Sequence, residues 1–194
     1  MKNLLQKGAG MADYLVNDIN FREASFNENI FSDFYEEYYE KVYNYVYFKT
    51  GERVNAEDLT CSIIEKVLNN IHWYNSAASS LNTWVFTIAR NHLIDQFRSK
   101  SRSECYFEEG QELQISDRIT ARPEESVIET EQAEMISMLL QRLPETEREV
   151  MILKFWGGLK NIEIAAQLGL NSSNVNVMVF RTLKKLKKMM EEGK

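Results

Sequence analysis

The segment Ile162-Glu163-Ile164-Ala165-Ala166-Gln167-Leu168-Gly169-Leu170, followed by Asn171-Ser172-Ser173-Asn174-Val175, packs a short amphipathic helix, a glycine and the start of a second helix into one stretch. Ala165 is small enough for two helices to approach closely. Gly169 supplies the positive φ that a tight turn needs. Val175 returns to fill the wedge between the helices. This is the pattern of a helix-turn-helix, which presents the N-terminal end of its second helix to a DNA major groove. A plain helical hairpin is the competing reading. The coincidence of small, turn and apolar positions favours the former.

Working outward, the last helix should run from about Ser172 to Met190, with Val175, Val179, Leu183, Leu186 and Met190 inward. Upstream, Met135, Leu139, Leu140 and Leu143 share a period. Pro144 suits the first turn of the next helix, and Glu145 and Glu147 complement its dipole. That helix carries Val150, Met151, Leu153 and Phe155 and stops at Gly157-Gly158. In the N-terminal half, Phe34, Tyr38, Val42 and Tyr45 recur at helical spacing. Asn55 is placed to cap a second helix whose apolar face is Leu59, Ile63, Ile64, Val67, Leu68 and Ile71. A loop over 73–80 separates it from a third helix, about Asn82 to Lys100, with Val85, Ile88, Ala89, Leu93 and Phe97 buried.

The expected fold is all-α, with two small helical domains joined by an acidic linker. Residues 1–25 read as a flexible arm, 26–103 as the first domain, 104–131 as the linker and 132–194 as the second domain. With only 2 prolines and 8 glycines, the chain is too poor in turn residues for an all-β sandwich. No apolar run is long enough to span a membrane, and the start lacks a secretory core. A cytoplasmic protein without membrane insertion is expected. Cys61 and Cys105 sit in no CxxC array and read as reduced thiols. His72 and His92 share no ligand spacing. No phosphate loop and no nucleophile elbow occur. Neither a metal, nor a cofactor, nor an enzyme is therefore expected.

The net charge of −6 argues against nucleic acid until it is divided. Residues 81–103 carry +3 and residues 171–190 carry +5, separated by −8 over 104–134. Two basic segments flanking an acidic stretch suggest two contacts with a polyanion. On the third helix, Thr83, Thr87, Arg90, Asn91, Asp95 and Arg98 share one face headed by Trp84, with Lys100 and Arg102 beyond. Such a face could stack on bases and bond to phosphates. A merely solvated face is the bland alternative.

Two stretches together are more specific. Ala56-Glu57-Asp58-Leu59-Thr60 with Trp84-Val85-Phe86-Thr87-Ile88-Ala89-Arg90-Asn91, Asp95 and Arg98 resembles the first conserved domain of bacterial sigma factors of the extracytoplasmic-function (ECF) group. Leu143-Pro144-Glu145-Thr146-Glu147-Arg148-Glu149-Val150, with the helix-turn-helix after it, resembles their second domain. The resemblance implies a non-enzymatic subunit of RNA polymerase holoenzyme, with the β′ and β subunits and double- and single-stranded promoter DNA as partners. It implies that Glu57, Asp58, Leu59 and Glu65 dock on the clamp helices of β′. It also implies that the loop starting Trp73, Tyr74, Asn75 pockets a flipped base, while Trp84, Thr87, Arg90, Asn91, Arg98, Lys100 and Arg102 support the melted strand. An anti-sigma factor or a separate DNA-bound recruiting protein would be further partners. A helix-turn-helix regulator acting without core polymerase is the alternative, but it leaves Ala56–Thr60 and Trp84–Asn91 without a task.

Two departures from the family pattern stand out. The loop from Trp73 to Ser80 carries no charged side chain, where such loops often carry basic residues. The recognition helix begins Ser172, Ser173, Asn174, Val175, Asn176, with Val177, Met178 and Phe180 where basic or small polar residues are common. Base reading falls to Ser173, Asn174 and Asn176, and phosphate attraction to Arg181, Lys184, Lys185, Lys187 and Lys188. Weak binding with little sequence preference is the expectation. The apolar trio either tucks against the preceding helices and Trp156 or forms a partner face.

Overall fold

The computed structural model describes residues 28–104 and 127–192, which form seven α-helices and, among the described residues, no strand. They are α1 (Glu28–Thr50), α2 (Ala56–Asn70), α3 (Leu81–Glu104), α4 (Val127–Gln141), α5 (Glu145–Phe155), α6 (Asn161–Leu168) and α7 (Ser172–Glu192), with a 3-10 turn at Ile71–Trp73. The arm 1–25 and residues 105–126 of the expected linker lie outside the described residues. The segment 127–131, assigned to the linker on its acidity, is the first turn of α4. Val127 and Ile128 start the helix there, ahead of the period seen at Met135.

The first domain packs α1, α2 and α3 around Phe34, Tyr38, Val42, Tyr45, Ile63, Val67, Val85, Ala89 and Leu93, all buried. Phe86 is also fully buried and meets the Tyr45 ring edge-on at 5.4 Å. Sequence periodicity left Phe86 out of the core because it lies beside Val85 rather than three or four positions from it. Phe97, expected inside, is 45% exposed, because it lies past the end of the cover that α1 and α2 provide.

The helix ends differ in detail from expectation. Asn55 precedes α2 in the helical region (φ −96°, ψ −7°), and its amide donates to Glu52 Oε2 at 3.0 Å, so it caps nothing. Ser80 is the cap that sequence spacing missed: its Oγ accepts the Thr83 N–H at 3.2 Å and starts α3. Pro144 lies just before the first turn of α5 rather than within it. Glu163 closes the start of α6 by accepting the Lys160 N–H at 2.7 Å. Gly169 takes φ +67° as expected, and Leu170 N–H returns to Ala165 O at 2.8 Å.

The two domains do not stand apart. One apolar cluster runs through both, joining Phe48 and Tyr47 of α1 to Leu140, Met151, Ile152 and Leu159. Phe48 and Trp156 rings lie 4.3 Å apart, and Gln141 Nε2 donates to Phe48 O at 3.0 Å. The charge partition suggested two contacts held apart by a spacer. In the described helices apolar α1 residues beyond the α2/α3 contact find cover on α4 and α5.

Candidate nucleic-acid interface

Helix α2 buries Ala56, Thr60, Ile63, Ile64 and Val67 and leaves Glu57, Asp58, Cys61 and Glu65 in solvent. Thr60 sits inside because its hydroxyl donates to Ala56 O at 2.6 Å. The carboxylates of Glu57 and Asp58 complement the helix N-terminus, so an acidic face is built without strain. Leu59 is half-buried against the core and offers only its edge. Beside this face Tyr39, Tyr43 and Tyr47 stack along α1. Burial pushes the Tyr39 phenol up to about 12, with Tyr35, Cys61 and Glu57 adding to it.

The loop after α2 exposes the Trp73 indole, 70% of it in solvent. Tyr74 turns inward instead. Its ring lies 5.5 Å from Trp84, and its hydroxyl donates to Ser79 O at 3.1 Å. Asn75 Oδ1 accepts the Ala77 N–H at 3.0 Å and folds the loop on itself. Trp84 is half-buried against the core. Trp84 thus backs Tyr74, and Trp73 carries the more exposed aromatic surface. Among the other expected residues of α3, Asn91 and Arg98 are exposed, whereas Thr87 is half-buried with its hydroxyl on Thr83 O at 2.7 Å. Lys100 and Arg102 fall on the last turns of α3.

Arg90 does not face open solvent alone. Its Nε lies 3.9 Å from Glu149 Oε1 of α5, a carboxylate that is 5% exposed. Glu149 also accepts from the Tyr45 hydroxyl at 2.7 Å and from Lys49 Nζ. Burial, with the charge of Glu149, raises the Tyr45 phenol well above its usual value, so it stays a donor. A second carboxylate, Glu163 of α6, accepts from Ser80 Oγ at 2.6 Å at the start of α3. Burial pushes the Glu163 carboxyl up. The Ser80 and Thr83 hydroxyls and the Lys160 N–H outweigh that and hold it below the usual value. Its contribution to the packed state is thus complete above the ordinary carboxylate range and is lost as pH falls through the lowered pKa. Gln167 Nε2 completes the seam by donating to Phe86 O at 3.0 Å. Ser80, Glu149 and Glu163 were not among the expected site residues. Their signal, a cap serine and two helical glutamates, means nothing until tertiary packing joins them.

In the second domain, Ser173, Asn174, Asn176, Arg181 and Lys184 are exposed on α7, and Ser172 is half-buried. Lys185 is half-buried and reaches Glu147 Oε2 at 3.3 Å. Asn171 Oδ1 caps the helix through the Ser173 N–H at 2.8 Å. Of the apolar trio only Met178 packs against the core. Val177 and Phe180 are 48% and 60% exposed, so the tucked arrangement holds for one residue of three. Leu183 and Met190, expected inward, instead rim a cavity of about 170 Å³ between α4, α5 and α7, lined with Ile136, Leu139, Met151, Phe155 and Leu186. Among the described residues no cluster of metal-ligating side chains occurs, and no helix is long and apolar enough to cross a membrane.

The two helical modules carrying these faces correspond to two family descriptions in the expected order. Sigma-70 region 2 matches residues 34–103, and sigma-70 region 4 matches residues 133–186. The chain belongs to the sigma-70 family, in its ECF group. Curated relatives agree on the group. The ECF sigma factor BldN of Streptomyces coelicolor is 28% identical over 84% of this sigma factor, which spans 61% of BldN's length. SigX of Bacillus subtilis, also an ECF sigma factor, is 28% identical over 84% of this chain and 85% of its own. Among solved structures, the sigma factor RpoE in complex with the anti-sigma factor NepR from Bartonella quintana superposes with a TM-score of 0.60 at 20% identity, over 83% of this chain and 96% of that one. CnrH in complex with the cytosolic domain of CnrY superposes with a TM-score of 0.65 at 16% identity, over 95% and 99%. These likenesses establish the same all-helical fold.

Proposed function

We propose that this sigma factor binds core RNA polymerase in the cytoplasm, brings it to promoters and assists strand opening. The observation that carries the reading is the pairing, in one chain and in family order, of an acidic exposed α2 face with a helix-turn-helix whose recognition helix is open to solvent. The α2 face offers Glu57, Asp58 and Glu65 to the clamp helices of β′. The loop Trp73–Asn75, backed by Trp84, offers an exposed indole to an unpaired base. Asn91, Arg98, Lys100 and Arg102 extend that surface along α3, and Arg90 joins it once Glu149 moves away. Such contacts must offset the few kcal/mol that flipping a base costs. The chain supplies binding, and the polymerase supplies the chemistry. An anti-sigma partner belongs to this reading, as RpoE has one in NepR.

Asp58→Arg tests the docking face. The side chain lies in solvent in the first turn of α2, so the fold should lose less than about 1 kcal/mol, chiefly from the helix dipole. Charge reversal against a basic partner should weaken core polymerase binding at least about tenfold. Affinity by titration and a thermal melt are read together. Unchanged core affinity with an intact fold would remove α2 from the docking surface.

A further inference from the structure

We infer that the outer face of the helix-turn-helix docks a second protein, one that is itself bound to DNA and presents an acidic amphipathic helix, and that this partner delivers the sigma factor to its promoters. This deepens the proposed function, on which it rests. Val177 and Phe180 lie one turn apart on α7, on the side away from Val175 and Thr182, which are buried. Asn161 donates to Asn176 Oδ1 and so joins the start of α6 to α7. Ile162 and Val177 flank that bond, and Ile162 is 68% exposed. Two helices thus contribute to one apolar patch, and the fold buries none of its three side chains. An exposed cluster of this kind marks an interface.

The charges beside the patch are unanswered. Helix α7 carries no carboxylate between Ser172 and Met190. Among the described residues its ion pairs are Lys185 with Glu147, Lys187 with Glu191 and Lys188 with Glu192. Arg181 and Lys184, the cations that adjoin Phe180, are in none of them. Lys184 Nζ lies instead 4.5 Å over the Phe180 ring. An apolar patch rimmed by unpaired cations complements a helix whose apolar side chains are set among carboxylates. DNA phosphates would also answer the cations, but not the patch. A major groove presents polar base edges, with the thymine methyl as its apolar group. Phe180 pressed on those edges would leave their donors and acceptors unpaired, a cost that apolar protein side chains do not incur. No Arg or Lys lies between Ser172 and Phe180, and Asn161 already occupies the Asn176 Oδ1 acceptor. A helix so poor in base contacts leaves the choice of site to the protein that covers it.

The test uses the full chain with Phe180→Lys, and Val177→Lys beside it. Both positions are exposed, so the fold should hold, which thermal melts check. In cells of the source organism, the transcripts that depend on this chain should fall at least about tenfold, the loss expected when a central aromatic anchor is removed. Affinity for duplex DNA should hold or rise, because each change adds a cation that phosphates attract. Affinity for core polymerase should not change. A photoreactive p-benzoylphenylalanine in place of Val177 should give an adduct in cells that survives nuclease and is destroyed by protease. The captured protein, once purified, should bind the dependent promoters without this chain. An adduct to DNA, a captured protein that does not bind those promoters, or full transcription by Phe180→Lys overturns the inference. Transcription by core polymerase and the parent chain on a premelted template lacking the upstream element separates the two readings. If it occurs alongside any of those three results, the docking inference fails and the sigma reading stands; if it does not occur, the sigma reading fails.

Discussion

A chain carrying Ser80→Cys and Glu163→Cys in a Cys61→Ser, Cys105→Ser background, joined by a short reducible bis-maleimide, is expected to lose promoter opening and to regain it on reduction. Ser80 Oγ and the Glu163 carboxylate are 2.6 Å apart across the seam between the domains. Nearby, Glu149 faces Arg90 at 3.9 Å. A phosphodiester approaching the N-terminal half of α3 would meet two carboxylates already placed on the groups that should receive it. Like charges a few ångströms apart, partly shielded from water, repel strongly. Under the proposed function the strand and the second domain would exclude one another, and the domains would have to part before the strand is held. The unlinked double cysteine variant, which has lost the Ser80–Glu163 bond and one of the two carboxylates, is the reference and should open promoters at least as readily as the parent. Permanganate footprints of the melted strand give the readout. A linked chain that opens promoters at the unlinked rate would show that the seam never has to separate.

Glu149→Ala is expected to cost the fold about 3–5 kcal/mol, the usual loss when one partner of a buried ion pair is removed. Glu149 is 4% exposed and gathers Lys49, Tyr45 and Arg90. Its removal strands the Tyr45 hydroxyl, which is fully buried. Among the described residues Lys49 keeps only Glu145, at 3.2 Å, as its carboxylate partner. Glu149→Gln should recover part of the loss, because an amide oxygen can still accept from Tyr45. Urea unfolding of the three proteins measures this. A loss below about 1 kcal/mol for Glu149→Ala would mean that water reaches the cluster.

Much of the fold is legible from periodicity because the decisive residues are local. Ala165, Gly169 and Val175 lie within one supersecondary unit, and each occupies the position that its size or φ requires. Phe34, Tyr38, Val42 and Tyr45 likewise announce their buried stripe. The errors share a physical origin. Asn55 has the side chain for a cap, but Glu52 takes its amide. Phe97 continues the period of α3 beyond the point where a neighbour covers it, whereas Leu183 and Met190 face α4 and α5 across an unfilled apolar gap and so stay part-exposed. The seam was hidden for a different reason. Tyr45 and Glu149 are 104 positions apart, and Ser80 and Glu163 are 83 apart. No window along the chain reports such pairs, so the basic face of α3 looked free when part of it is paired.

Run-off transcription with purified bacterial core polymerase tests the central claim most directly. Core enzyme is mixed with a promoter library, with and without this chain at equal molarity. The account predicts a stoichiometric complex and discrete transcripts from a subset of templates, from neither protein alone. Absence of the complex, or transcripts unchanged by the chain, would contradict it.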